Sequence, residues 1–154
     1  MSIPMSLEKL QLLFSDASAE TWHEHPNGGG WVQNTAFVEP MAYVGIDCIV
    51  YGDARVSGDA QVSGDAWVIS PLQIMGTKHF VTVCNRALLS IGCEVHPIDW
   101  WKQHYRAIGR SAGYTKAQIS EYRNYIELAR VWMKIHGYKA EREAASPTAS
   151  AKIK

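Results

Sequence analysis

A large apolar residue returns at every sixth position through the middle of the chain. The series is Val32, Val38, Val44, Val50, Val56, Val62 and Val68, continued by Ile74 and Phe80. Such a period matches neither the alternation of a flat strand nor the period of about 3.6 residues of a helix. Gly and Asp recur between these positions, where the backbone must turn sharply. The pattern predicts short strands that each bury one large side chain.

The repeats resemble those of the hexapeptide-repeat family. The resemblance is carried by residues 52–66, GDARVSGDAQVSGDA. Members of that family fold as a left-handed β-helix in which three hexads form one triangular coil of about 18 residues. The resemblance therefore implies a fold that is mainly β, with a short left-handed β-helix of about three coils, capped by a β-hairpin and two C-terminal helices.

Features outside the repeats narrow the resemblance to hexapeptide-repeat proteins common in bacteriophages and prophages. The matching stretches are residues 29–32, 52–66, 91–93 and 127–129. Such proteins are often labelled transferases or polymer-forming cytoskeletal proteins on fold alone, so the resemblance implies a phage origin and no particular activity. Residues 96–101 depart from the group, and the resemblance assigns His96 no catalytic role.

The chain divides into five predicted segments. Pro97 suits the first position of a helix, residues 115–118 read as a capping box for a second helix, and the last residues are small, charged and polar. We expect an N-terminal cap at 1–30, the β-helix at 31–80, a β-hairpin cap at 81–93, a two-helix appendage at 94–138 and a disordered tail at 139–154.

One outward face of the predicted β-helix is apolar. Stacking every third hexad groups Trp31, Gln33, Ile49, Tyr51, Trp67 and Ile69 on that face. A large exposed apolar face favours association. We expect it to be covered either by a neighbouring subunit or by the C-terminal helices.

Charge and composition argue against two classes of partner. Fifteen basic and fifteen acidic residues give no net charge, which disfavours a broad nucleic-acid surface. The chain has no apolar run of about 18 residues that could span a membrane, and its first residues lack a secretory signal. Three cysteines, Cys48, Cys84 and Cys93, have no disulfide-scaffold spacing. We therefore expect the cytoplasm of a bacterial host cell.

His79 is a candidate general base. Many left-handed β-helix trimers transfer acyl groups with a histidine beside a groove between subunits, and imidazole titrates near neutral pH. His79 is the one histidine within the repeats. The hexads run from 32 to 76 without the inserted loop that such enzymes usually have, so a surface or interface histidine is the competing interpretation. Acyl or acetyl transfer stays the alternative function.

Cys84, Cys93 and His96 are candidate zinc ligands. Cys93-x-x-His96 has a plausible spacing for a pair of ligands. Both cysteines equally suit core positions, which is where free cysteine is commonest. We expect no bound metal and no cofactor.

Two further clusters are interpreted as structural. The polar stretch His23-Glu24-His25 is expected to be a solvated loop. Residues 28–30 are three glycines without the Lys-Ser/Thr of a phosphate loop, which indicates a turn.

The predicted function is non-enzymatic binding by a β-helix oligomer, with a trimer favoured. Six Trp and seven Tyr suit recognition surfaces, and clefts between subunits suit a ligand. The expected partner is a host defence protein that the chain inhibits, or a small nucleotide-like signalling ligand that it traps. The residues expected at the binding surface or interface are Trp31, Tyr43, Ile49, Tyr51, Trp67, Ile69 and Trp100.

Overall fold

The computed structural model describes residues 3–138 and divides into two compact units. We call Met1–Pro71 unit 1 and Leu72–Lys154 unit 2. The tail predicted to be disordered, 139–154, lies outside the described residues. None of the helices within 3–138 combines the length and the hydropathy needed to cross a membrane.

Unit 1 contains one short helix and eight short strands. They are α1 (Leu7–Leu13), β1 (Trp22–Glu24), β2 (Trp31–Gln33), β3 (Phe37–Val38), β4 (Tyr43–Val44), β5 (Ile49–Val50), β6 (Arg55–Val56), β7 (Gln61–Val62) and β8 (Ala66–Trp67). Ser6 caps α1 by accepting a hydrogen bond from the Lys9 amide at 3.2 Å.

The hexads determine which strands of unit 1 pair. Residues of β2, β3 and β4 pair in parallel with residues three hexads further along, as Trp31 does with Ile49 and Tyr43 with Gln61. The result is one sheet in the order β1-β2-β5-β8 and two two-stranded sheets, β3-β6 and β4-β7. β1 joins the first sheet antiparallel to β2.

The predicted left-handed β-helix of about three coils is wrong. The structure is a mixed sheet and helix fold with several small sheets of two to four strands, some parallel and some antiparallel, and the described residues form no solenoid. Most strands of unit 1 are two residues long, so each makes few ladder hydrogen bonds. Beyond β8, pairing becomes antiparallel, and Ile74 and Phe80 lie on strands of unit 2 instead of continuing the repeat.

The last hexad of unit 1 is out of step with the repeat. Val50 pairs with Trp67, where the period predicts Val68. Trp67 is 1% exposed and Val68 is 49% exposed, the reverse of the prediction. A one-residue slip exchanges the two faces of a strand. Here it buries an indole in place of a smaller isopropyl group.

The N-terminal segment covers the apolar face that the sequence predicts. Trp31 and Ile49 are buried in one cluster with Leu10 of α1 and Trp22 of β1, and Tyr51 packs against it. The Trp31 indole also donates a 2.6 Å hydrogen bond to the Met5 carbonyl. Trp31 and Ile49 are therefore covered by the N-terminal segment, which is not among the two alternatives expected for this face.

The other valines of unit 1 fill its centre. Val32, Val44, Val50, Val56 and Val62 are each at most 1% exposed. A charge buried at one of these positions would lose its hydration. A charged replacement there should therefore strongly destabilise unit 1.

Two turn glycines of unit 1 are held by side chains that lie 19 residues earlier in the chain. Gly52 and Gly58 have positive φ, which favours glycine. The amide of Gly52 donates to Gln33 at 2.8 Å, and that of Gly58 donates to the Glu39 carboxylate. These bonds join segments of unit 1 at the turns that follow the two-residue strands.

Unit 2 is an antiparallel sheet followed by two helices. The elements are β9 (Gln73–Met75), β10 (Phe80–Val83), β11 (Leu88–Ile91), β12 (Glu94–Pro97), α2 (Ile98–Ser111) and α3 (Lys116–Ile135). The sheet order is β12-β11-β10-β9. Thr115 and Gln118 form the capping box at the start of α3.

Candidate functional site

Unit 2 contains a pocket of about 260 Å³. Its walls come from the start of β10, the β11–β12 turn, α2 and α3. Aromatic residues form much of the lining: Trp101, Tyr105, Tyr114 and Tyr122. The polar groups among them include His79, Cys93, Glu94 and Ser111. A mainly apolar cavity with a few polar groups is the usual form of a small-molecule site.

Helical spacing brings the apolar walls together. Trp101, Tyr105 and Ile108 recur along one face of α2, and Ile119 and Tyr122 along one face of α3. Trp101 is fixed to the sheet because its indole donates a 2.8 Å hydrogen bond to the carbonyl of Leu89.

The Tyr122 hydroxyl holds the turn that carries His79. It accepts hydrogen bonds from the amides of Lys78, at 3.0 Å, and His79, at 2.5 Å. It donates to the His79 carbonyl at 2.6 Å. A Cβ at Gly76 would lie 2.3 Å from this hydroxyl, so glycine is required there. The position of the turn is therefore set by a helix more than forty residues away.

Glu121 holds the same turn one residue earlier. Its carboxylate accepts from the Thr77 amide at 2.9 Å and from the Thr77 hydroxyl at 2.5 Å. The Tyr125 hydroxyl donates to it at 2.8 Å. The bonds from Thr77 lower the pKa of Glu121, and the carboxylate in turn raises the pKa of Tyr125.

His79 is oriented within the pocket by Tyr114. The Nδ1 atom lies 2.5 Å from the Tyr114 hydroxyl, and the two rings stack with centroids 5.5 Å apart. Burial, followed by the neighbouring Tyr122 phenol, raises the pKa of Tyr114, which keeps that hydroxyl protonated. Gly92, at positive φ, lies against the imidazole, where a Cβ would come within 3.1 Å of Cδ2.

The hydrogen bond with Tyr114 uses Nδ1 of His79 and leaves Nε2 of the same ring for another contact. If Tyr114 donates, the neutral ring carries its hydrogen on Nε2. If Nδ1–H donates, Nε2 is an acceptor. In both tautomers Nε2 is the nitrogen that can meet a ligand.

The three candidate zinc ligands do not come together as a site. Cys84 is buried, and burial raises the pKa of its thiol to about 12. Cys93 is exposed at the pocket, and His96 contacts Glu94 at 2.8 Å and stacks on Trp100. No group of three or more His, Cys, Asp or Glu side chains within 3–138 could hold a metal ion.

The predicted interface residues have different surroundings, and none of them lines the pocket. Trp31, Ile49 and Trp67 are buried, and Tyr51 is half-buried. Tyr43 and Ile69 are each 40% exposed. Trp100 is half-buried. Its indole stacks with the imidazole of His96, with ring centroids 3.5 Å apart, and with the imidazole of His104, with ring centroids 4.2 Å apart.

The residues interpreted as a polar loop are more ordered than predicted. His23 and Glu24 belong to β1, and His25 is 3% exposed with Nε2 2.8 Å from the Ala42 carbonyl. The glycine turn is structural, since a Cβ at Gly28 would lie 2.1 Å from the Val44 carbonyl oxygen.

Of the predicted site residues, His79 and Cys93 line the pocket. Sequence reasoning missed Glu94, Tyr114 and Tyr122 as site residues. The sequence offers only an indirect signal, the two glycines that pack against the site: Gly76, three residues before His79, lies against Tyr122, and Gly92 lies against the His79 imidazole.

No protein-family model, curated protein or solved structure matches this chain. The resemblance to phage hexapeptide-repeat proteins therefore stays a prediction from the repeats.

Proposed function

We propose that this chain is a non-enzymatic binding protein and that a small organic molecule occupies the pocket of unit 2. The observation that carries the proposal is the aromatic pocket in which His79 is fixed through Nδ1 and retains Nε2 for a ligand. Such a combination of apolar walls and one oriented polar group favours specific binding.

The proposal retains the function class predicted from the sequence, non-enzymatic binding, but assigns it to a different site. The sequence predicts clefts between subunits, whereas the pocket lies within one unit of one chain. A phage origin, a trimer, a cytoplasmic location and inhibition of a host protein stay predictions from the sequence.

Protection of Cys93 from a thiol reagent measures occupancy of the pocket. Protein purified rapidly from cell extract is compared with the same protein after unfolding and refolding, which removes bound molecules. Native mass spectrometry identifies any retained mass. We expect slower Cys93 labelling and an added mass in the rapidly purified sample.

Two tryptophan substitutions on exposed alanines make the test specific. Ala112 lines the pocket, so Ala112→Trp fills it, whereas Ala107 is equally exposed but lies outside the lining. Ala112→Trp should abolish the added mass, and Ala107→Trp should retain it. Retention of the mass by both variants would place the ligand elsewhere and reject the proposal.

Acyl transfer is the second candidate, because Tyr114 orients His79 as a general base would need. The imidazole would take the proton of an acceptor hydroxyl or amine as that group attacks the carbonyl carbon of a thioester, and would return the proton to the thiolate that leaves when the C–S bond breaks. Against it, the lining, all within residues 79–122, contains no Lys or Arg for the phosphates of coenzyme A. Turnover of acetyl-coenzyme A that His79→Ala abolishes would favour this candidate over binding alone.

A further inference from the structure

The charged groups of the pocket disfavour an anion. Glu94 is the one carboxylate in the lining, which includes neither Lys nor Arg. Lys78 lies outside the lining, with its ammonium 5.7 Å from the centre of the Tyr114 ring, and is exposed. A phosphate or carboxylate placed in the pocket would therefore lose water beside a carboxylate without gaining a Lys or Arg partner in the lining.

The walls suit a flat aromatic ligand. Tyr105 and Tyr114 are half-buried and present the accessible part of the aromatic lining, whereas Trp101 and Tyr122 are at most 3% exposed behind them. Tyr114 is held in place because it packs edge-on against Tyr122, with ring centroids 5.0 Å apart. Aromatic pairs of this kind add to the gain from burial alone.

The volume limits the size of the ligand. A pocket of about 260 Å³ corresponds to roughly nine water molecules at their volume in the liquid, which leaves room for on the order of ten non-hydrogen atoms. Two fused rings fit this volume, and the remainder of a larger ligand such as a complete nucleotide would extend out of the pocket.

We infer that the ligand is a heteroaromatic molecule of two fused rings that carries no negative charge, with a ring nitrogen that hydrogen-bonds to Nε2 of His79. The inference rests on the proposed function and specifies its ligand. Because Nε2 donates in one tautomer and accepts in the other, a ring with both an N–H and a bare nitrogen can be bound in either state. The nucleotide-like ligand predicted from the sequence is thereby restricted to its base-like part.

Three benzimidazole probes separate the terms of this inference. Benzimidazole is neutral and carries both kinds of ring nitrogen. Benzimidazole-5-carboxylate adds a negative charge, and 1,3-dimethylbenzimidazolium adds a positive charge and removes both hydrogen-bonding groups. Calorimetric titration into the full chain at pH 8 should show binding of benzimidazole and at least tenfold weaker binding of the other two.

Variants and nitrogen NMR locate the bound probe. Ala112→Trp should abolish benzimidazole binding, and Ala107→Trp should leave it unchanged. The ¹⁵N resonance of His79 Nε2 should shift on addition of benzimidazole, which reports the contact without altering the protein. If His79→Ala does not fold, Tyr114→Phe still tests the orientation of the ring and should weaken binding several-fold.

The outcomes distinguish this inference from the proposed function. Equal or tighter binding of the carboxylate or the methylated cation overturns the inference. The inference is also overturned if no probe binds although the purified protein retains a molecule that Ala112→Trp removes. In that case the proposed function still stands. Failure of every probe together with no retained molecule rejects both.

Discussion

The two units of this chain use sequence in opposite ways. Unit 1 is built from a repeat, and the large side chains of that repeat pack into its core, as the buried Val44, Val56 and Val62 show. Unit 2 has no repeat and places aromatic and polar side chains around a pocket. A repeat specifies local pairing efficiently, but identical corners leave few positions for unlike groups. The unit without a repeat is therefore the better candidate for recognition.

The largest expected effect tests the register of unit 1. Trp67→Lys should unfold this unit, with a loss of more than about 4 kcal/mol, because an unpaired ammonium would replace a buried indole. Val68→Lys should cost less than about 1 kcal/mol, since Val68 is half exposed. Chemical denaturation of both variants measures the difference. Equal losses of unfolding free energy, or a larger loss for Val68→Lys, would show that Val68 is the buried residue, as the six-residue period predicts.

The next effect tests how unit 2 holds its pocket. Tyr122→Phe should destabilise unit 2 by about 1–3 kcal/mol, because it leaves two amides and one carbonyl of the 78–79 segment without this partner. Tyr125→Phe is the matched control, since it removes one bond to Glu121 and should cost less than about 1 kcal/mol. Hydrogen exchange at the Lys78 and His79 amides measures the release. Unchanged protection in Tyr122→Phe would contradict the assigned role.

Thiol reactivity separates the interiors from the pocket. Burial raises the pKa of both Cys48 and Cys84 to about 12, so both thiols stay protonated and shielded at pH 8. Cys93 is exposed. A colourless disulfide reagent that releases a coloured thiolate should titrate one thiol in the folded protein and three after unfolding. Cys93→Ser should remove the fast thiol; a fast reaction that persists in this variant would mean that an interior opens readily.

The smallest effect concerns acid stability of unit 2. The pKa of Glu121 is lower in the folded state than in the unfolded chain, chiefly through the Thr77 bonds. Its contribution is therefore present above the unfolded pKa and is lost as pH falls through the folded pKa. Glu121→Gln keeps an acceptor for Thr77 and should flatten that acid dependence. Parallel pH curves for the two proteins in chemical denaturation would show that Glu121 does not contribute.

The sequence predicts pairing better than it predicts architecture. The period identifies the partners three hexads apart, because each hexad places one large residue inward. The period does not reveal that the strands are only two residues long, or that the series ends in the last hexad. There the larger Trp67 takes the buried position that the period assigns to Val68. The inference from the repeat to a short left-handed β-helix of about three coils is therefore wrong.

The pocket was harder to predict because its parts are distant in sequence. His79 was singled out for its place in the repeat, although its contacts come from Tyr114 and Tyr122. Neither tyrosine carries a motif, and Tyr122 reads as an ordinary core position of α3. Gly76 approaches the Tyr122 hydroxyl and Gly92 approaches the His79 imidazole, but both approaches are properties of the folded chain and not of the sequence.

The bonds from Tyr122 to the 78–79 segment also set an order of events during translation. The four strands of unit 2 emerge from the ribosome before Tyr122 does, yet the segment carrying His79 lacks this anchor until α3 has emerged. A nascent chain would thus possess the sheet while still lacking a competent cavity. Capture of the ligand would begin only after α3 has left the ribosome.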